Sequence, residues 1–459
     1  MMACCPRRGC VVALIGFFLL AMTGPGAAAE EISLAEPATD QRVKLVACEV
    51  HTSGKIYTNA GGGRTADHDL SSAAAFRFRE RRLPPAGRDE LSLRALREFE
   101  MATMQTRVAD HDTKIELPAD LRLIVAYGER AGIESYSPGQ SMTRDAVELL
   151  QLPSDPLLLT ALLPQTATQV GGEWSPSDWA SQMLASIEAV QDTDLTCRLV
   201  SADSKKAEIA FSGTLTGQRH GANTEVTVEG KLTFDRQEEF IRSATTEYQI
   251  KSSVGTINPG IDAKVNLRME RTLKTTPGRL TDAAVEATPL EPTREETMLL
   301  FEAAPWNLEL RHDRNWYVFQ ALFEGTPQVA ILRLMEHGSL ICQCNVSPIP
   351  SAQPGKHTSL EQFEADIEQA LGKRFQRFAS REQIPTDDGR SLFRVVAEGE
   401  VTLKGQEEQV SIPMQWIYFL CADRTGQQLS FVFTIEPAYL ELLKGRDVEM
   451  VRSLRFLTE

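Results

Sequence analysis

Long stretches of residues 40–274 alternate between apolar and polar side chains with a period of two. In the segment FRFRERR, Phe76 and Phe78 fall on one face of a strand and the intervening arginines fall on the other. The same alternation recurs at Ala207/Ile209/Phe211, Val226/Val228, Leu232/Phe234 and Ile261/Ala263/Val265/Leu267/Met269. Strands with one apolar and one polar face are typical of antiparallel sheets. The pattern therefore predicts a large, mostly antiparallel β domain.

Three shorter segments within this block, at 143–150, 155–163 and 175–190, carry helical patterns. The third has the clearest signals, with Ser175 as its N-cap and Pro176 at the first helical position. Its apolar residues fall on one stripe: Trp179, Met183, Ile187 and Val190. Such a stripe either packs on the sheet or lines a cavity for an apolar ligand. We expect a filled core, because close packing is the rule in protein interiors.

A change of composition divides the chain. Residues 275–298 contain three prolines, many threonines and acids, and no clear apolar period, which predicts an extended, exposed linker. Residues 299–459 then predict the order β-β-β-β-α-β-β-β-α. The helix of this block, at 358–371, begins with a capping box of Thr358 and Glu361. The expected fold class is α+β, with a large antiparallel domain followed by a smaller α/β sandwich.

Three segments of the second block, SLEQFEADIEQAL, the hairpin MQWIYFL with QQLSFVFTI, and MVRSLRFL, follow one another along the chain. They predict a mid-chain helix, then a hairpin, then a closing helix with a short strand. This order of elements resembles that of the PsbP-like α/β sandwich. That resemblance implies a small accessory or binding protein without catalytic activity. The first block resembles the half-barrel sheets of LolA-type envelope proteins. Segments such as LLPQTATQVGGEWSPSDW are similar to segments of uncharacterised secreted bacterial proteins.

The N-terminus has the three-part order of a secretory signal peptide. Arg7 and Arg8 precede the uncharged apolar run VVALIGFFLLAM, and small residues follow up to Ala29. The apolar run is short against the roughly 20 residues that a helix needs to cross a bilayer, so a cleaved signal is favoured over a membrane anchor. We therefore expect export to the periplasm or the cell exterior, cleavage after Ala29, and no transmembrane helix in the mature chain.

Composition narrows the classes of partner. Cleavage would leave 46 basic and 63 acidic residues, a balance that does not suit nucleic acid binding. The cysteines that would remain are Cys48, Cys197, Cys342, Cys344 and Cys421. This sparse, odd set differs from the dense, even frameworks of disulfide-rich modules. It leaves the disulfide pairing open, and the sequence does not indicate an oligomeric state.

Cys342 and Cys344, one residue apart, raise the question of a metal or redox site. Side chains in 340–347 alternate, which places both thiols on one face with Leu340 and Val346. A structural zinc site needs about four N or S ligands. Positions i and i+2 of a strand lie roughly 6.6 Å apart with parallel side chains, which suits a disulfide poorly. We therefore predict two buried core thiols, without metal or redox function.

Two Asp-His-Asp triplets, at 67–69 and 110–112, are the next candidates for chemistry. In an extended chain the aspartates share one face and the histidine points to the other, so one triplet alone cannot chelate through all three side chains. Both triplets lie beside turn-forming residues, which predicts solvated turns. If the two turns met in space, their carboxylates could assemble an oxygen-rich site for a hard or borderline cation. These carboxylates belong to Asp67, Asp69, Asp110 and Asp112.

The segment Arg311 to Asn315, which contains His312 and Asp313, is predicted to be a charged hairpin tip. The sequence has no nucleophile elbow, zincin helix, P-loop or dinucleotide fingerprint. We therefore assign no catalytic residue, cofactor or metal ligand. The function we expect is an exported, non-enzymatic binding or interaction protein of the cell envelope, with a protein or an apolar ligand as its partner. The alternative is an envelope-acting hydrolase built on the two Asp-His-Asp turns.

Overall fold

A computed structural model describes residues 30–61, 64–84, 89, 92–129, 132–404 and 409–457. The predicted signal peptide, 1–29, lies outside the described residues. Strands β1 to β14 are Val43–Gly61, Arg64–Arg82, Arg94–Val108, His111–Glu116, Leu123–Glu129, Gly132–Tyr136, Met142–Thr143, Glu173–Trp174, Ala189–Thr193, Thr196–Ala202, Lys206–Arg219, Ala222–Asp235, Phe240–Ser252 and Gly260–Lys274. Strands β15 to β24 are Leu299–Ala303, Leu308–His312, Trp316–Leu322, Val329–Glu336, Ser339–Ile349, Phe375–Gln383, Ser391–Lys404, Gln409–Ala422, Gln428–Ile435 and Arg455–Phe456. Helices α1 to α8 are Arg144–Leu149, Pro156–Leu159, Asp178–Ala185, Asp282–Ala287, Arg294–Thr297, Leu360–Leu371, Leu440–Leu443 and Arg446–Ser453.

The first block is built on one large sheet with the strand order β6-β5-β3-β2-β1-β14-β13-β12-β11-β10-β8, with β4 paired to β3 and β9 to β11. Its central strands pair antiparallel. The predicted fold class is confirmed. We call the face with buried Phe76 and Phe78 the inner face, and the face with exposed Arg77 the outer face.

Helices α1, α2 and α3 pack on the inner face and share one hydrophobic core with the sheet. The Thr143 hydroxyl accepts a hydrogen bond from the Ala146 amide and caps α1, within the segment predicted to be helical. Helix α3 is shorter than the predicted 175–190, because Ser186 adopts a left-handed conformation with φ of 51° and ends it. Its N-cap is Ser177 and not Ser175.

The second block is a sheet with the order β17-β18-β19-β23-β22-β21-β20, covered by helices on both faces. Helix α6 buries Phe363 and Ile367 on one face, and α8 buries Met450 and Val451 on the other. The N-cap of α6 is Ser359, whose hydroxyl accepts from the Gln362 amide, so the helix begins one residue later than the predicted Thr358 cap implies. An α/β sandwich results, as the sequence pattern indicates.

The segment 275–298 is largely exposed, as predicted, but it is not extended throughout. It contains α4 and α5, and Leu280 is fully buried beside Val43 and Leu96 of the first sheet. Ala284 and Val285 pack against the same cluster. The spacing of these three apolar residues, four and five apart, gives a short helical face that the prediction of a linker missed. The division into domains at 40–274 and 299–459 stays a prediction.

A small sheet with the order β24-β16-β15-β7 joins the two blocks. Leu299 of β15 lies parallel to Met142 of β7, in the first block. Strands β16 and β17 belong to different sheets, so residues 313–315 connect two sheets and are not the predicted hairpin tip. The connection between the two sheets is anchored by Trp316, which is fully buried in the core of the second block.

Candidate functional site

One half of the inner face is filled by the helices of the chain itself. Met183 and Ile187 are 1% and 0% exposed and belong to the core that contains Phe76 and Phe78, while Trp179 packs at its edge. Gly217 permits this close approach, because a Cβ there would lie 2.6 Å from Cγ2 of Ile187. In this half the apolar stripe therefore packs directly on the sheet.

The other half of the inner face carries apolar side chains that stay partly exposed, three of which, Met104, Ile115 and Ile250, also pack against the covered core. We call it the open strip, and its residues are Ile56, Leu70, Met104, Val108, Ile115 and Ile250. Leu70 lies directly opposite Val108, and Met104 opposite Ile115, so the strip runs across neighbouring strands. Between them, the hydroxyls of Ser72 and Thr106 hydrogen-bond each other at 2.8 Å. The strip is therefore mixed in character, because Thr52, Ser72, Thr106 and Thr113 form a polar row between its apolar side chains.

The open strip was not predicted from the sequence, although a signal for it was present. The even-numbered positions of β2 that place Phe76 and Phe78 inward continue to Leu70 without a break in register against β1. Strands β1 and β2 each have 19 residues, whereas α1, α2 and α3 have 6, 4 and 8. At about 3.3 Å per strand residue and 1.5 Å per helical residue, helices of this length cannot cover the whole face.

The two Asp-His-Asp triplets lie side by side but do not assemble a site. The prediction of a turn is wrong for the first triplet, which lies within β2, and holds in part for the second, which begins in the β3–β4 turn and continues into β4. The Ala109 amide donates to the backbone oxygen of Asp69 at 2.9 Å and brings the triplets together. The carboxylate of Asp67 pairs with Lys55 at 2.6 Å, and that of Asp112 with Arg107 at 2.8 Å. Among the described residues, three or more side chains suited to a metal do not converge.

Beneath the helices, at the end of the first sheet away from Leu70, charged side chains are buried in the core and form an ion network. We call this part of the sheet the covered end. Arg97 donates to Glu80 at 2.8 Å and to Asp155 at 2.6 Å. Arg271 donates to Glu36 at 2.8 Å through each of two nitrogens. The network comprises Glu36, Asp40, Lys44, Glu80, Arg82, Arg97, Asp155 and Arg271.

The charges of this network balance, with as many acids as bases among the residues named. Burial alone would raise the pKa of Glu36, but Arg271 and Lys44 outweigh it and bring the pKa down to about 2. For Arg97, burial lowers the pKa of the guanidinium, and Asp155 and Glu80 more than reverse that effect. Buried charges tolerate this environment when each has partners. The network therefore holds strands, helix α2 and the N-terminal segment together.

A second polar cluster fastens the two blocks to each other. The ring of His220, in the β11–β12 turn, lies 5.2 Å from the ring of Tyr317 in β17, and Arg144 stands 4.4 Å over that tyrosine. Burial, followed by the nearby Arg219 and Arg144, lowers the pKa of His220 to about 4. His220 is therefore neutral near pH 7, and the Asn258 amide at its Nδ1 leaves Nε2–H to donate to Glu188 at 3.1 Å.

The cysteines and His312 are core residues. Cys48, Cys197, Cys342, Cys344 and Cys421 are all free and buried, which confirms the prediction of buried thiols at 342 and 344. A bulge in β19 buries Ile341 and exposes Leu340, so the predicted face is wrong at Leu340. His312 is 2% exposed, and burial lowers its pKa to about 4.

No family model and no curated protein matches the chain. Among solved structures it is similar to CyanoP, the PsbP of Synechocystis sp. PCC 6803, at 14% identity and a TM-score of 0.25, with 35% of this chain and 92% of that chain covered. It is similar to the MucA/MucB complex of Pseudomonas aeruginosa at 10% identity and a TM-score of 0.18, with 93% and 97% covered. The match to lipovitellin has 9% identity and a TM-score of 0.27, and covers 51% of this chain and 25% of that one. These weak, fold-level resemblances carry no argument about function.

Within the described ranges, no helix combines the length and the apolar character that a membrane crossing requires.

Proposed function

We propose that this chain is an exported, non-enzymatic binding protein of the cell envelope that holds a segment of a protein partner on its open strip. The observation that supports the proposal is the contrast within one continuous inner face. Cys48 and Phe76 are both 4% exposed under the helices, whereas Leu70, farther along the same strand as Phe76, remains half-exposed.

The covered half indicates what kind of partner the open strip suits. There, α1, α2 and α3 present apolar residues to the sheet, including Val147, Leu158 and Met183. Covering apolar surface contributes roughly 25 cal/mol per Å² removed from water. A partner segment with one apolar face would extend this cover over Leu70 and Val108 in the same manner.

A protein segment fits the strip better than a lipid does. Small apolar ligands bind in concave sites that bury about 70–90% of their surface. The open strip instead holds a row of side chains across neighbouring strands, Ile250, Leu70 and Val108, with Met104 and Ile115 beyond the polar pair of Ser72 and Thr106. Such a row suits an elongated, one-sided contact. An apolar small molecule is the second candidate occupant, and photocrosslinking separates it from a protein segment.

Site-specific photocrosslinking in the cells that produce the protein tests the proposal. A benzophenone amino acid placed at Leu70 would face the strip, and the same residue placed at Ser71 would face the other side of the sheet. We expect protein adducts from position 70 that are absent from position 71. A lipid-sized adduct at position 70 would replace the protein partner with an apolar ligand. Equal adducts at both positions would contradict a site on the inner face.

Export is tested separately by N-terminal sequencing of the protein from its own source. The proposal expects a mature chain that begins at Glu30 or within a few residues of it. A chain that retains Arg7 and Arg8 would favour an anchored form.

A further inference from the structure

A groove of about 430 Å³ lies at the end of β11 to β14, apart from the open strip. Lys251 occupies its middle, directly opposite Glu225 on one neighbouring strand and Asp262 on the other. Register places these three side chains on the outer face, so the groove and the open strip lie on opposite faces of the sheet. The groove is also lined by Tyr57, Gln191 and Asn223.

Several of these polar groups are free to meet a ligand. Among the described residues, the side-chain amides of Gln191 and Asn223 have no hydrogen-bond partner, and Glu225 and Lys251 form no ion pair within 4.0 Å. Asp262 accepts one hydrogen bond, from Gln249 at 2.6 Å, and its carboxylate can accept more. The groove therefore offers donors and acceptors close together.

An aromatic ring completes the lining. Tyr57 is half-buried at one end of the groove. The residue directly opposite it on β14 is Gly260, which has no side chain to cover the ring. A tyrosine in this setting can receive the C–H face of a flat, partly apolar molecule.

We propose that this groove binds a neutral saccharide. Vicinal hydroxyls are both donors and acceptors, and they match the amides of Gln191 and Asn223, the carboxylates of Glu225 and Asp262, and the ammonium of Lys251. The two carboxylates outweigh the single ammonium, which disfavours phosphate and other anions. The volume lies within the usual range of about 300–1,000 Å³ for small-molecule sites and accommodates roughly two sugar rings. This inference does not depend on the open strip.

Titration of the full mature chain with cellobiose and with N,N′-diacetylchitobiose, followed by calorimetry and ligand-observed NMR, tests the saccharide site. We expect at least one disaccharide to bind with a millimolar or lower Kd. The Tyr57→Ala variant should weaken that binding about tenfold, and Tyr57→Phe should preserve it, because the ring face is the contact. Tyr439→Ala, which removes an exposed tyrosine of the second block, is the matched control and should not change the Kd.

Several results would overturn the saccharide site. Failure of both disaccharides to bind at millimolar concentration would do so, and so would a Tyr57→Ala variant that binds as well as the wild type. Displacement of the sugar by inorganic phosphate would assign the groove to anions. If Tyr57→Ala does not fold, Gln191→Ala takes its place, since its side-chain amide makes no hydrogen bond within the described structure, and it should also weaken binding.

Discussion

The two halves of the inner face of the first sheet are formed by the same strands but are completed differently. Under the helices, Phe78 and Ile187 are 0% exposed, and the end of the core contains a balanced ion network around Arg97. Beyond the helices, Leu70 and Val108 remain half-exposed. The difference teaches that alternation along a strand shows which face is apolar, whereas the length of the covering elements decides how much of that face is closed.

The contrast also separates stability from function. A buried network of paired charges such as that around Arg97 is costly to disturb, because removing one partner leaves a charge without compensation. A half-exposed strip contributes less to folding, since its side chains are incompletely removed from water. We therefore expect changes at the covered end to lower the free energy of unfolding strongly, and changes in the open strip to affect binding instead.

Removal of one cation from the ion network should have the largest effect. Arg97→Ala leaves Glu80 and Asp155 buried without their main partner, and should lower the free energy of unfolding by about 3–5 kcal/mol. Arg77→Ala is the matched control, because Arg77 forms an exposed pair with Glu100 on the outer face and should cost about 1 kcal/mol or less. Denaturant titration measures both, and a similar small loss for each would contradict the structural role of the network.

Truncation of apolar side chains compares the two halves directly. Met183→Ala opens a cavity in the filled core and should cost about 2–5 kcal/mol. Leu70→Ala in the open strip should cost about 1 kcal/mol or less, because its side chain already contacts solvent. Denaturant unfolding of the two variants decides the matter. If Leu70→Ala cost as much as Met183→Ala, the strip would be part of the closed core.

Acid should weaken the covered end. Burial tends to raise the pKa of Glu36, but Arg271 and Lys44 bring it from 4.5 to about 2. A depressed carboxyl pKa stabilises the fold fully above the unfolded value, and this stabilisation is lost as the pH falls from about 4.5 toward 2. Its size is up to roughly 3 kcal/mol.

Unfolding measured from pH 6 to pH 2 in the wild type and in Glu36→Gln isolates this contribution. The variant starts from lower stability and should lose less than the wild type over the acid window. An identical loss in both proteins would show that Glu36 does not carry the effect.

Thiol labelling compares the solvent accessibility of the two halves of the inner face in the native protein, without a measurement of unfolding. Burial raises the pKa of Cys48 and Cys197 to about 12, with a smaller contribution from Asp155 and Glu49 at Cys48. Both thiols should therefore resist maleimide in the native protein near pH 7.5. A cysteine introduced by Leu70→Cys should react quickly, as followed by mass spectrometry. Labelling of Cys48 at the same rate would contradict the covered state of its half.

The sequence was sufficient to predict the first sheet, but it did not predict which elements cover its inner face or which charges are buried there. Alternation at Phe76 and Phe78 predicts the inner face, and the same parity places Glu80 and Arg82 inward, which was the available signal for buried charge. The partners of Arg97 lie 17 and 58 residues away in the chain. A pairing of that separation is set by tertiary structure and leaves no local pattern.

Helix boundaries show the same limit on a smaller scale. The stripe from Trp179 to Val190 is helical in spacing, yet the helix ends before Ser186 and the last residues join β9. Ile187 remains buried after the helix has ended, because the sheet provides its contacts. Local periodicity identified which side chains enter the core, whereas tertiary packing determined the backbone that carries them.

The most direct test of the binding proposal is the Kd for the partner segment identified by crosslinking, measured with two adjacent lysine substitutions. Leu70→Lys places an ammonium on the open strip, and Ser71→Lys places one on the outer face, so both change the net charge equally. We predict that Leu70→Lys weakens binding by at least about a hundredfold while Ser71→Lys changes it less than about threefold. Equal effects of the two substitutions, or none from Leu70→Lys, would contradict the account.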